Sequence, residues 1–438
     1  MAYVLVALFG AAGVALFYRY AALDLGERGG LLAAILFLLT TTAWIALKGV
    51  LSESLYLFAL MASLVYYQTR IASREPKTHE WVLFGLLLAC ASLSRAIGIL
   101  LLGAYLVHLA VAAWKERRLV ARAWIPAIVV VVLVGLWYAF RPKAPTDMYG
   151  VASTWVMGWW LGNPGEMLHG ATNLLFSGWV RSFMADHDVT LGAKVVFGAV
   201  GVLGFVEALL RAKRNRLDGW FVLLSLGVIF VWTFTPETTR RLLYPLVPLL
   251  ILFAMSITRR MLARLRLDDR RRMLVGAVIV ALPVLLVLPA LAIVARKSFD
   301  DRIVIAGCPQ QYREIAPYYA TLNAEEAEKL VVLEVTMLCG LQMVDKVTPP
   351  NAVLMWSRPE YVALLGHRRT VPLYYRWKPE ELRAAIVQEK VDYLVLTALF
   401  KNDIEGGSAR NLADMNFEAY TVPTYVLSSG IFSLRKVK

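Results

Sequence analysis

Lys48-Gly49-Val50-Leu51-Ser52-Glu53-Ser54-Leu55-Tyr56 separates two apolar runs, Leu31 to Leu47 and Leu55 to Tyr67. The runs approach membrane length, and the stretch between them is a turn that carries a carboxylate. A charge at the centre of a bilayer costs roughly 2.5–3.5 kcal/mol on insertion scales, so Glu53 belongs at a membrane edge or in a polar cavity. Ser52 suits a helix N-cap, which puts Glu53 in the first turn, where the helix dipole favours an anion. Capping alone explains Glu53 unless other polar groups gather on its side of the membrane.

The rest of the chain fits that frame. Of its 438 residues, 59% are hydrophobic, and mean hydropathy is +0.59. Apolar stretches recur along most of the length, which specifies a polytopic α-helical membrane protein. About ten transmembrane helices are expected, near residues 3–23, 31–47, 55–67, 81–93, 97–113, 125–140, 193–210, 220–234, 242–257 and 274–294. Gly26, Gly29 and Gly30 read as turn residues between the first two. The net charge of +14 raises nucleic acid as a ligand, but Lys and Arg fall in short clusters between apolar runs, the positive-inside pattern, and no nucleic-acid partner is expected.

Those clusters orient the chain. Arg19 and Arg28, then Arg70 to Lys77, Lys115 to Arg122, Arg211 to Arg216, and Arg259 to Arg272 mark the cytoplasmic loops. Glu53 and everything after Val294 then lie outside. Four polar places share that outer face: the Glu53 turn, Ser92-Leu93-Ser94-Arg95, a long loop over 141–191, and Thr235 to Arg241. The long loop carries Trp155, Trp159 and Trp160, and an amphipathic helix over Met167 to Met184 suited to the interface plane.

Arg95, Arg240 and Arg241 offer rigid donor forks for phosphate, with snorkelling to lipid head groups as the alternative. Tyr244 and Glu237 are the neighbouring candidates. Asp186 and Asp188 form a weak Asp-x-Asp that suits a divalent cation or, more simply, a solvated loop. An amphiphilic anion, with its phosphate at the arginines and its tail between helices, fits the set. After residue 296 the pattern changes to short alternating runs. A soluble α/β domain over 296–438 is expected, with strands near 352–356, 370–374 and 393–397 and a closing hairpin of 417–422 with 425–434. Cys90 reads as a buried apolar residue, and Cys308 and Cys339 can pair if that domain is outside the cytoplasm.

Leu51-Ser52-Glu53-Ser54-Leu55-Tyr56-Leu57-Phe58, Ala91-Ser92-Leu93-Ser94-Arg95-Ala96-Ile97-Gly98 and Arg240-Arg241-Leu242-Leu243-Tyr244-Pro245-Leu246-Val247-Pro248 together resemble the GT-C superfamily, in that order and on one face. Pro350-Asn351-Ala352-Val353-Leu354 and Val391-Asp392-Tyr393-Leu394-Val395-Leu396 are similar to the external domain of its bacterial members. These are integral membrane glycosyltransferases, such as the protein mannosyltransferases and aminoarabinose transferases. The resemblance implies a transmembrane transferase domain over 1–295, with 141–191 as an outer interfacial loop, and an extracytoplasmic domain over 296–438.

It also implies transfer of a sugar, with inversion, from a polyprenyl-phosphate donor to a lipid, glycan or protein acceptor at the outer face of a bacterial inner (plasma) membrane. Glu53 would face substrate or metal, with Arg95 and Arg240 near the lipid phosphate. It fixes no cofactor: either arginine or a divalent cation would stabilise the leaving phosphate. The family's first helix and Asp-bearing outer loop have no counterpart here, so the resemblance gives this chain no general base. A flippase would show broken mid-membrane helices and paired repeats, which the sequence lacks. A non-catalytic scaffold would tolerate loss of Glu53 and Arg95.

Overall fold

The computed structural model describes residues 2–48, 52–117, 120–140, 164–184, 190–231, 236–265, 269–298, 324–356, 359–373, 379–397, 421–427 and 432–438. The chain forms two units, Met1–Ile293 and Val294–Lys438.

The first unit is helical. Its elements are α1 (Ala2–Leu38), α2 (Thr41–Lys48), α3 (Ser52–Tyr66), α4 (Thr78–Ser94), α5 (Ile99–Glu116), α6 (Ile125–Phe140), α7 (Pro164–Phe183), α8 (Leu191–Lys213), α9 (Leu217–Val231), α10 (Pro236–Leu243), α11 (Val247–Arg264) and α12 (Asp269–Ser298). Among the described residues four stretches can, by length and composition, cross a membrane: Val4–Leu38, Ala96–Lys115, Ala121–Phe140 and Leu191–Lys213. Thr78–Ser94, Leu217–Val231 and Leu274–Pro289 are shorter apolar helices.

The first of those stretches is a hairpin. Gly26 has φ 79° and ψ 169°, a region open almost only to glycine. The rings of Phe17 and Phe37 lie 5.9 Å apart, whereas twenty residues of straight helix would separate them by about 30 Å. Gly26 is therefore the turn. Gly29 and Gly30, expected in the same loop, belong to the returning leg. A Cβ on Gly30 would stand 2.7 Å from the Ala22 nitrogen, so glycine there sets how closely the legs approach.

The run expected to continue to Leu47 stops at Leu38. Thr40 accepts from the Ala43 N–H and donates to the Phe37 carbonyl, capping α2 as a separate short helix. The run expected over 242–257 is likewise divided, α10 ending at Leu243 and α11 starting at Val247. The amphipathic stretch near 167–184 does form a helix, but its second half is docked. Trp179 is buried and donates to the Phe197 carbonyl at 2.7 Å, and Gly178 lies so near Thr239 that a Cβ would meet it at 2.7 Å.

The second unit has α13 (Ala324–Val347), β1 (Val353–Trp356), α14 (Pro359–Gly366), β2 (Arg369–Pro372), α15 (Pro379–Gln388), β3 (Tyr393–Thr397), β4 (Thr421–Leu427) and β5 (Phe432–Val437). The sheet order is β2-β1-β3-β5-β4, parallel across the first three strands and antiparallel thereafter. Strand alternation divides its core. Leu354, Trp356, Tyr393 and Val395 face Met337 and Leu341 of α13, while Val353, Met355 and Leu394 face Leu382 of α15. The hairpin arms differ from expectation: Tyr425 lies on the first arm, β4, where a register shift between Pro423 and Tyr425 absorbs a proline that cannot donate to the ladder. Cys339 is disulfide-bonded, Cys90 is a free thiol, and Cys308 lies outside the described residues.

Candidate functional site

Glu53 lies in the first turn of α3, and its side chain is 2% exposed. Burying a carboxylate at that depth demands compensation. Two arginines supply it from different elements. Arg241 of α10 donates Nε to Glu53 Oε1 at 2.9 Å, with Nη2 also 2.9 Å from that oxygen. Arg95 Nη1 stands 3.0 Å from the same Oε1.

Local sequence explains how each group arrives. Arg95 is the extended residue (φ −152°, ψ 143°) at which α4 ends, followed by a single tight turn, Ala96–Gly98. A Cβ on Gly98 would stand 2.0 Å from the Ala91 carbonyl oxygen, so only glycine lets the chain fold back there. Ser92 and Ser94 donate to carbonyls of their own helix, Leu88 and Ala91, and take no part in the site. Arg241 is placed by the short α10, which is wedged against Gly178 of α7.

Arg240 is one residue from Arg241 and so about 100° round the helix; it is buried at 1% exposure. Tyr244 is also buried, its ring 5.9 Å from Phe37 and its hydroxyl within electrostatic reach of Glu53. Glu237 falls in the first turn of α10 with its side chain outside the described residues, and Asp186 and Asp188 lie outside them altogether. Among the described residues no group of three or more His, Cys, Asp or Glu is placed to hold a metal ion.

Sequence reasoning missed Tyr56. It lies one helical turn after Glu53, is fully buried, and is within electrostatic reach of Arg95. Among the described residues four buried polar atoms at this place have no hydrogen-bond partner: Glu53 Oε2, Tyr56 OH, Tyr244 OH and Arg95 Nη1. The last is close to Glu53 Oε1 without a well-directed N–H, so that contact is electrostatic.

A second charged cluster forms at the other end of the helices. Arg211 is buried and pairs with Asp24, Glu207 and Asp218; Arg216 pairs with Asp24 and Asp218, and Arg260 with Glu207. Tyr20 donates to Asp218 at 2.7 Å. Nearby, His108 bridges the Tyr67 hydroxyl and the Asn215 carbonyl. Three arginines read from sequence as solvated loop charges are thus committed to three carboxylates. The signal was the presence of Asp24, Glu207 and Asp218 inside or beside apolar helices. Glu53 opens α3 and Tyr67 follows it, 14 residues or about 21 Å along the helix, so the two clusters occupy opposite ends.

An apolar cavity of about 480 Å³ lies alongside, between α1, α7, α8, α11 and α12. Leu39 and Phe183 line it, as do Ile251, Met255 and Arg259 along α11.

No protein-family model matches the chain, and no curated protein matches it in sequence. Among solved structures it is similar to ArnT from Cupriavidus metallidurans bound to undecaprenyl phosphate, at 13% identity and a TM-score of 0.49, over 99% of this chain and 83% of that one. It is also similar to the Archaeoglobus fulgidus oligosaccharyltransferase in complex with Zn and sulfate, at 13% identity and a TM-score of 0.42, over 98% of this chain and 60% of that one. Both neighbours are GT-C superfamily members.

Proposed function

We propose that this chain is a membrane glycosyltransferase of GT-C type, which moves a sugar from a polyprenyl-phosphate donor to an acceptor hydroxyl at the membrane face where Glu53, Arg95 and Arg241 meet. The observation that carries the reading is a buried carboxylate bridging two guanidiniums at one end of an apolar helical bundle whose helices also enclose an apolar cavity. A lipid phosphate needs both parts, cationic forks for its head and an apolar trough for its tail.

In the proposed reaction an acceptor oxygen attacks the anomeric carbon from the face opposite the phosphate. The carbon–oxygen bond to phosphate breaks, and its electron pair leaves with the phosphate. The acceptor proton passes to a base, which we assign to none of the described residues. A phosphodiester carries one negative charge and the departing monoester nearly two. Guanidiniums fixed beside that oxygen therefore stabilise the leaving state more than the bound donor. Glu53 acts as a positioning residue that holds Arg95 and Arg241 together.

In this reading the positive-inside pattern of the sequence assigns the Glu53 turn and the residues after Val294 to the outside. The disulfide at Cys339 supports that side, since such bonds persist in oxidising compartments. A bacterial inner membrane crossed about ten times is the corresponding location.

The test is transfer of labelled sugar from a polyprenyl-phosphate donor in membranes. Arg95→Ala and Arg241→Ala should each lower the rate by about a hundredfold or more, with protein levels unchanged. Wild-type rates in both variants would remove the assignment and favour a scaffold.

A further inference from the structure

The donor and acceptor balance of the Glu53 pocket describes its ligand more closely than the arginines alone. Glu53 Oε1 is occupied by Arg241 and Arg95, whereas Oε2 is buried with no hydrogen-bond partner among the described residues. The hydroxyls of Tyr56 and Tyr244, both at least 99% buried, are likewise unpartnered. Buried polar atoms are almost always hydrogen-bonded, so a cluster left open marks the place of a bound group. Tyr56 is one turn from Glu53 on α3 and within electrostatic reach of Arg95, and Tyr244 follows α10 within reach of Glu53, so the open groups come from two elements.

A fully ionised phosphate cannot satisfy this set. Its oxygens accept, and suit Arg95 Nη1, but a second anionic oxygen against Glu53 Oε2 is repelled. Oε2 requires a donor, a hydroxyl or an ammonium group. The tyrosines can donate to, or accept from, a second polar group beside it. A ligand that satisfies both carries an anionic oxygen and, a few bonds away, a hydrogen-bond donor.

We propose that Glu53 Oε2, with the hydroxyls of Tyr56 and Tyr244, forms a subsite that reads a hydroxyl of the glycosyl group attached to the lipid phosphate, and so retains the loaded lipid in preference to the bare one. This rests on the sugar-transfer reading and adds to it: the donor sugar bears a free hydroxyl or amine close to the phosphate, and a sugar deoxygenated at that place is a poor donor. It gives Glu53 two tasks, one for each oxygen.

The experiment measures binding of two probes, polyprenyl phosphate and polyprenyl-phosphate hexose, to the full chain in lipid nanodiscs. Wild type should hold the hexose lipid about tenfold or more tighter, the gain expected of a hydrogen bond to a charged group. Tyr56→Phe and Tyr244→Phe should each shrink that preference while leaving the bare lipid within about twofold. Glu53→Gln, which keeps an oxygen to accept from Arg241, should abolish it. Variants that keep the preference, or that weaken both probes equally, would overturn the subsite. A wild type that binds both lipids alike would remove this inference and leave the sugar-transfer reading in place. A wild type that binds neither would remove both.

Discussion

Glu53, Arg95 and Arg241 differ sharply in exposure, at 2%, 14% and 46% of their side chains, and that difference separates structural from functional cost. Removing the carboxylate leaves two guanidiniums facing each other without an anion. Glu53→Ala should therefore lose about 3–5 kcal/mol of stability, the usual penalty for breaking a buried pair. Arg241→Ala, at a half-exposed position, should lose about 1 kcal/mol or less. Thermal unfolding in detergent should rank Glu53→Ala well below Arg241→Ala, while the transfer assay finds Arg241→Ala severely impaired. Equal unfolding temperatures for the two would show that Glu53 is not held as described. These three residues were legible because each is an ionised group where an apolar chain has few. Tyr56 was not, since a tyrosine inside Ser54 to Tyr67 reads as core until a carboxylate one turn away is known to be buried with it.

Two glycines act through whole helices. Gly26 has open space around its missing Cβ, so the cost of Gly26→Ala is conformational alone, of order 1–3 kcal/mol. Asn, which tolerates the left-handed helical region, should not rescue it, because ψ 169° lies far from that region. An unfolding temperature restored by Asn would contradict the turn geometry. Gly178 is different: a side chain there meets Thr239, the residue before Arg240, so Gly178→Val should move α10 and depress transfer far more than stability. At the opposite end, Arg211→Ala should unfold the bundle at a markedly lower temperature, since it strips three carboxylates of a shared partner, with about 3–5 kcal/mol at stake. Apolar runs announced most of these helices. They did not announce where Leu38 and Leu243 end them, because the breaks are made by a threonine cap and by Pro245, which has no N–H to donate, rather than by a gap in hydrophobicity. The charged knot was hidden for a related reason: Arg211 and Arg216 look like loop charges until their partners 187 and 192 residues away are brought to them.

At the scale of the whole molecule, the chain places two polar clusters at the two ends of one apolar bundle. The cluster at the Gly26 end is balanced, three guanidiniums against three carboxylates, and its described groups are largely satisfied. The cluster at Glu53 has two guanidiniums against one carboxylate and four unmet polar atoms. A closed knot suits a structural tie, and an open one suits a ligand. The Val294–Lys438 unit was legible as an α/β fold because its strands alternate between two helical covers; its hairpin register was not, since a bulge shifts the pairing at Pro423. The most direct test of the open cluster is photo-crosslinking. A polyprenyl phosphate bearing a diazirine on the first isoprene unit should label peptides at the start of α3 and in α10, and the labelling should vanish in an Arg95→Ala, Arg241→Ala double variant. Labelling that falls instead around Arg259 or Asp24, or that survives the double substitution, would contradict the site proposed here.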